Sequence, residues 1–117
     1  MKDSTSPDGT YQIQFEMAEI RMSHWIYKPF IYRTHDHVLL FDLQDDVWSA
    51  DEIKWLTDSI VQIEARRYPG TLSCQMTLDL ERGTGKATRS TAQTSVHFDG
   101  TLSEIRNWVL SRKPVMN

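Results

Sequence analysis

Residues 72–81 have the sequence LSCQMTLDLE, in which apolar and polar residues alternate throughout. A period of two residues is typical of a β-strand that buries one face. Residues 61–66, VQIEAR, alternate in the same way, and the Tyr68-Pro69-Gly70 sequence between the two stretches favours a turn. These residues therefore predict an antiparallel hairpin in the middle of the chain.

Weaker alternation continues in both directions from this hairpin. Further strand-like stretches lie at residues 11–17, 24–33, 38–43, 53–55 and 87–98. The alternation blurs at residues 19–22, which predicts either a bend or a β-bulge. We therefore expect an α+β, mostly β fold: an antiparallel meander of about six or seven strands, arranged as a sandwich or a half-open barrel, with one C-terminal helix.

That helix is predicted over residues 102–113. Thr101 and Glu104 have the spacing of a capping box, in which each side chain bonds the backbone N–H of the other residue. Apolar residues at 102, 105, 108 and 109 fall on one helical face. Basic residues at 112 and 113 complement the helix dipole, and Pro114 is expected to end the helix.

The length of 117 residues suits one domain, which we place at residues 11–113. Residues 1–10 are polar and contain Pro7 and Gly9, so we expect a flexible N-terminal tail. The first thirty residues contain no targeting segment, and no apolar run is long enough to span a membrane. The single cysteine fits a reducing compartment. We therefore expect a cytoplasmic protein without a membrane partner.

The charge balance argues against a nucleic-acid partner. Thirteen Lys and Arg residues face sixteen Asp and Glu residues, giving a formal net charge of −3. Nucleic-acid-binding domains usually carry a basic patch. The aromatic residues within 24–33 therefore fit a core better than a stacking surface for single strands.

Known catalytic patterns are incomplete in this sequence. Cys74 lies on the apolar face of its predicted strand, which favours a core cysteine over a nucleophile. Residues 83–86, GTGK, lack the remaining positions of a phosphate-binding loop and predict a hairpin turn. We therefore expect no catalytic residues and no cofactor, and a non-enzymatic protein.

The four histidines leave an alternative open. His35 and His37 could hold a metal ion, but the spacing specifies no third ligand, so we assign no metal site. The alternative function is a small-ligand-binding or enzymatic β-barrel-like domain that uses its histidines, His24 and His97 included.

An acidic segment that contains tryptophan is the strongest candidate for a partner-binding site. Tryptophan anchors protein interfaces, and surface charge steers association with a partner of opposite charge. We therefore predict docking of a basic protein partner on this segment, with a solvated acidic loop as the simpler interpretation. The predicted partner-binding residues are Asp45, Asp46, Trp48, Asp51, Glu52 and Trp55.

Four segments carry a resemblance to a known type of protein: MSHWI (22–26), VLLFDL (38–43), RRYPG (66–70) and TLDLERGTG (77–85). Over about residues 11–112 the chain resembles small, mostly uncharacterised bacterial proteins of the toxin-system immunity protein type. The resemblance implies a cytoplasmic protein-binding module that occludes the active site of a basic toxin domain. Pairing of exposed strand edges would in addition allow a homodimer.

Overall fold

The structure is a computed structural model, and it describes residues 2–20, 24–43, 48–68 and 72–111. The described residues form nine strands and one helix, which confirms the expected mostly β fold with a C-terminal helix. The expected six or seven strands were too few, because β1 lies in the predicted tail and the single stretch expected at 87–98 forms parts of two strands, β8 and β9. The elements are β1 (Ser4–Thr5), β2 (Tyr11–Ile20), β3 (His24–Arg33), β4 (Val38–Asp42), β5 (Trp48–Trp55), β6 (Ile60–Arg67), β7 (Ser73–Asp79), β8 (Thr84–Ser90), β9 (Ser95–Thr101) and α1 (Leu102–Leu110).

Two antiparallel sheets contain these strands in chain order. One sheet has the order β1-β2-β3-β4 and the other the order β5-β6-β7-β8-β9. The central hairpin has the predicted pairing, with Val61 opposite Leu78 and Ile63 opposite Met76. All four of these side chains are fully buried, because the apolar face of the five-stranded sheet covers the core.

The core lies between the sheets and beneath the helix. Its largest fully buried side chains include Phe41 of β4, Trp48 of β5 and Ile105 of α1. Arg106 of α1 lies 3.5 Å from a carboxylate oxygen of Asp42, which links the helix to the four-stranded sheet. The helix thus packs against strands of both sheets.

The predicted N-terminal tail is partly built into the four-stranded sheet. Ser4 pairs with Ile13, and Ser6 is buried with its Oγ accepting a hydrogen bond from the Tyr11 N–H at 3.0 Å. Gly9 has a φ of 80°, and its N–H donates to the Ser6 carbonyl at 2.9 Å. This tight turn reverses the chain, so that β1 pairs with β2. The polar composition of residues 1–10 does not indicate this pairing.

The helix begins as predicted and ends earlier. Thr101 and Glu104 form both hydrogen bonds of the capping box. The helix ends at Leu110 and not at residue 113, because Ser111 is already extended with φ −63° and ψ 127°. Arg112, Lys113 and Pro114 lie outside the described residues. Among the residues that the structure describes, no helix has the length and apolar character needed to cross a membrane.

A strand residue supplies the positive charge at the end of this helix. Arg89 of β8 is buried, and its Nη1 donates to the carbonyls of Trp108 at 3.0 Å and Ser111 at 3.2 Å. Its guanidinium also lies 4.5 Å from the centre of the Trp108 ring. Arg89 therefore satisfies C-terminal carbonyls of α1 and complements the helix dipole from a neighbouring element.

Candidate functional site

The predicted partner-binding segment is mostly a strand. Trp48, Asp51, Glu52 and Trp55 lie on β5, while Asp45 and Asp46 lie outside the described residues. A β-bulge between Ala50 and Glu52 leaves Asp51 without a partner in the ladder to β6.

Trp48 is not a surface residue, so the prediction that it anchors a partner is wrong. Its side chain is 0% exposed and belongs to the core between the sheets. Its Nε1 is buried and has no hydrogen-bond partner among the described residues. The strand alternation directs Trp48 and Ala50 inwards, although the neighbouring sequence is acidic.

Trp55 is half-buried and joins the two sheets. Its Nε1 donates to Ser4 Oγ of β1 at 2.9 Å, and its ring packs against the core. This contact fixes the end of β5 against the N-terminal strand. Trp55 therefore has a structural role in this fold.

The two acidic residues of β5 are exposed as predicted. A carboxylate oxygen of Asp51 lies 3.6 Å from Arg66 Nη2, in an ion pair whose side chains are both exposed. Glu52 lies directly opposite Glu64 of β6, on the outer face of the sheet. Like charges in directly opposite positions destabilise a sheet. This corner of the surface therefore favours the approach of positive charge.

The exposed tryptophan of the molecule's described surface is Trp25. It is 52% exposed, and Met17 on the adjacent strand is 57% exposed. Both side chains lie on the same face of the β2–β3 hairpin as Ile13. Ile13, nearer the start of β2, is buried in the core, whereas Met17 and Trp25 are exposed. Ten consecutive residue pairs join β2 and β3 without a register shift, so the described part of the hairpin contains no β-bulge. Ile26, on the opposite face of the hairpin, is buried.

A surface hollow lies between β3 and β5 beside Trp25. The pairs between β3 and β4 extend only from Phe30 to Arg33, so the first half of β3 faces β5. The Tyr27 N–H donates to Ser49 Oγ at 3.0 Å across this gap. The hollow has a volume of about 250 Å³ and is lined by residues 25–27, residues 49–51, Arg66 and Tyr68. We call it the Trp25 hollow.

The Trp25 hollow combines the residue types that dominate protein interfaces. Two tyrosines, Tyr27 and Tyr68, and one tryptophan supply aromatic surface, while Asp51 and Arg66 supply charge at the rim. Large aromatic side chains and arginine are enriched among residues that carry most of the binding energy. The arrangement is chemically suited to holding a protruding side chain of a partner protein.

The histidines that the structure describes do not converge. His35 and His37 lie in the turn between β3 and β4, where the His37 ring stacks on Tyr32 with centroids 4.2 Å apart. His97 lies on the outer face of β9, with Nδ1 3.0 Å from Thr88 Oγ1. The side chain of His24 is not described. Within the described ranges, no three His, Cys, Asp or Glu residues are placed to hold a metal ion.

Two other predicted features have the expected structural roles. Cys74 is 2% exposed, and burial raises the pKa of its thiol to about 12, which keeps the sulfur protonated and unreactive. The hairpin turn predicted at residues 83–86 lies earlier, at residues 80–83, with Gly83 at a φ of 72°, and Thr84, Gly85 and Lys86 already belong to β8. Neither feature supplies a nucleophile or a phosphate site.

Comparison with known proteins gives no match: no protein-family model, no curated protein and no solved structure is similar to this chain.

The sequence contained a signal for Trp25 that our interpretation missed. Glu19 lies opposite Trp25, on the face that carries Ile13 and Phe15 nearer the core. A charged residue at the end of an apolar alternation marks the point at which that face leaves the core. Our interpretation of the blurred alternation at residues 19–22 left a bend or a β-bulge open and did not connect it with an exposed aromatic residue.

Proposed function

We propose that this protein is a non-enzymatic protein-binding module whose docking surface is the Trp25 hollow together with Met17. The observation that carries the proposal is the exposure of Trp25 beside a hollow lined by two further aromatic residues and Asp51. Half of a tryptophan side chain exposed to water is costly unless a partner covers it.

The charge around the hollow favours a basic partner. The hollow itself is lined by one acidic residue, Asp51, and one basic residue, Arg66. Glu52 and Glu64 lie opposite each other on the neighbouring strands, Glu19 lies opposite Trp25, and the chain as a whole has a formal net charge of −3. Complementary charge accelerates association and excludes partners of the same sign.

The specific form of the proposal is an immunity protein of the cytoplasm that occludes a basic toxin domain. Support comes from the resemblance of the sequence to such proteins and from the acidic, aromatic docking surface. Asp51 and Glu52 keep the role that the sequence predicted for them. Trp25 takes the anchoring role that we had expected of Trp48 and Trp55.

The test compares two exposed residues that line the Trp25 hollow with two exposed residues in the turn between β5 and β6. W25A and D51K alter the Trp25 hollow, while L56A and D58K make the same kinds of change in the turn between β5 and β6. A partner is captured from source lysate, purified, and its affinity for each variant is measured by calorimetry. We expect W25A to raise Kd by about 30-fold, the size of an interface hot spot.

The charge-reversal variant tests the nature of the partner. D51K is expected to slow association more at low salt than at high salt, because steering by surface charge is screened by ions. L56A and D58K should bind as the unmodified protein does. Equal affinity of W25A and L56A, or no partner at all, contradicts the proposal. Inhibition of the partner's enzymatic or toxic activity supports the immunity form.

A further inference from the structure

One edge of the five-stranded sheet is open. Strand β9 pairs with β8 on one side, and none of the described strands pairs with it on the other. Its seven residues have alternating exposure, so its outer side chains are in solvent. An unpaired edge is a template for a further strand.

Two hydrogen bonds show which backbone groups of β9 face the open side. Thr91 N–H donates to the Thr94 carbonyl at 2.9 Å, and Leu102 N–H donates to the Gly83 carbonyl at 3.0 Å, at the two ends of the β8–β9 ladder. In an antiparallel ladder, every second residue directs its N–H and C=O to the neighbouring strand. The backbone N–H and C=O groups of the even-numbered residues of β9 therefore point to β8. Those of His97 and Asp99 point outwards.

The helix cap closes only the last position of this edge. The Thr101 N–H also points outwards, and it donates to Glu104 Oε1 at 2.9 Å in the capping box. No backbone hydrogen bond of the described residues occupies the outward groups of His97 and Asp99. The four backbone groups of His97 and Asp99 are thus available to a partner strand in the middle of this edge.

We propose that β9 pairs with β9 of a second copy of this chain in antiparallel orientation. The five-stranded sheet of one copy and the five-stranded sheet of the other then form one sheet of ten strands. A two-fold axis through Phe98 is the arrangement in which all seven residues of both strands find a partner. In this register His97 of each copy lies opposite Asp99 of the other. The side chains of both residues are exposed on the outer face, so an imidazole N–H of one copy can donate to the carboxylate of the other at two symmetric positions.

The helices are compatible with this pairing. Helix α1 packs against both β8 and β9, and Trp108 stacks on Phe98 with ring centroids 5.4 Å apart. Adjacent strands are about 4.8 Å apart, so helices beneath each β8–β9 pair would lie about 10 Å from each other, a normal packing distance. The half-buried Phe98 and Trp108 of each copy would then be covered by the same residues of the other.

The dimer does not involve the Trp25 hollow, so it stands or falls independently of the proposed function. One strand edge and one aromatic cluster form a small interface, and we expect a dissociation constant of roughly 100 µM. Sedimentation equilibrium of the full chain at concentrations up to about 1 mM measures this association.

A charge swap tests the register. H97E places a carboxylate opposite Asp99, and D99K removes the carboxylate that accepts from His97. Each should weaken the dimer about tenfold, because a single substitution alters two symmetric pairs. The double variant H97E/D99K places opposite charges in both pairs and should recover dimerisation. Q75K, on the outer face of β7, changes charge away from the edge and should leave the dimer unchanged.

A proline tests the backbone pairing. H97P removes an N–H that faces away from β8, so the fold is kept while the edge loses a donor; we expect a monomer at all concentrations. Circular dichroism confirms that each variant is folded. A monomeric wild-type chain at about 1 mM overturns the proposal, as does a dimer that is unaffected by H97P and by both single charge variants.

Discussion

Replacing Arg89 by methionine removes the cation at the C-terminal end of α1 and keeps most of the aliphatic volume of the side chain. Arg89 is 6% exposed, and its guanidinium makes two hydrogen bonds to helix-end carbonyls as well as a stacked contact with Trp108. The variant R89M therefore leaves the core packed but removes the charged donor from both carbonyls, although the Trp108 carbonyl still accepts from the Ser111 N–H at 3.2 Å.

The expected loss of stability follows from these contacts. Hydrogen bonds to a charged group contribute about 1.5–3 kcal/mol, and the contact with the Trp108 ring about 1 kcal/mol. Removing a buried charge also recovers part of its desolvation cost. We therefore expect R89M to lower the free energy of unfolding by about 2–3 kcal/mol.

Urea denaturation followed by tryptophan fluorescence measures this loss. With a denaturant slope of about 1.5 kcal/mol per molar urea, the midpoint should fall by about 1.5 M. R82M is the matched control, because Arg82 is 81% exposed and lies 3.9 Å from Asp79, a geometry that contributes little. If R89M and R82M shift the midpoint equally, the capping role of Arg89 is refuted.

Four further outcomes are expected. In the same urea assay, W48A should lower the free energy of unfolding by about 3–5 kcal/mol, because Trp48 fills the core. W25A should lower it by less than about 1 kcal/mol, because Trp25 is half exposed. Similar losses for the two variants would contradict this distinction. G85A should lower the free energy of unfolding by about 1–3 kcal/mol, because the added methyl group would lie 2.7 Å from a backbone carbonyl oxygen of β7. An unchanged urea midpoint would show that the two strands can move apart to accept the methyl group. The Cys74 thiol should react with a thiol reagent only as fast as the chain unfolds, since burial raises its pKa to about 12; rapid labelling of the folded protein would contradict its burial. The Arg33 guanidinium lowers the pKa of Asp36 to about 2, so the stabilising contribution of this carboxylate is present above its unfolded pKa of about 3.9 and is lost as the pH falls towards 2. An NMR titration should show this pKa rising in R33M, and an unchanged value would contradict the cause.

Local patterns predicted the elements that depend on local physics. The β6–β7 hairpin was predictable because one of its faces is buried along its whole length, so polar and apolar residues had to alternate. The start of α1 was predictable because Thr101 and Glu104 complete their hydrogen bonds within one helical turn. Its C-terminal cap was not, because Arg89 is contributed by another strand.

The candidate site depended on contacts that no single segment encodes. The bulge after Ala50 shifts the inward positions of β5, so that Trp48 before it and Ile53 and Trp55 after it all face the core. In the sequence these residues fall in different phases of a two-residue alternation, and the acidic neighbours suggested an exposed loop. Whether a tryptophan is buried was thus decided by the pairing of β5 with β6.

Two features that the sequence analysis did not locate lie beside each other at the Trp25 hollow. The β2–β3 hairpin exposes Trp25 on the face that carries Ile13 in the core, and the bulge of β5 leaves Asp51 unpaired in the ladder of the facing strand. Each costs stability, because one exposes apolar surface and the other leaves a strand residue unpaired. Features that cost stability are expected where a surface serves binding. Their meeting on either side of one hollow is therefore an argument for the docking surface that neither feature provides alone.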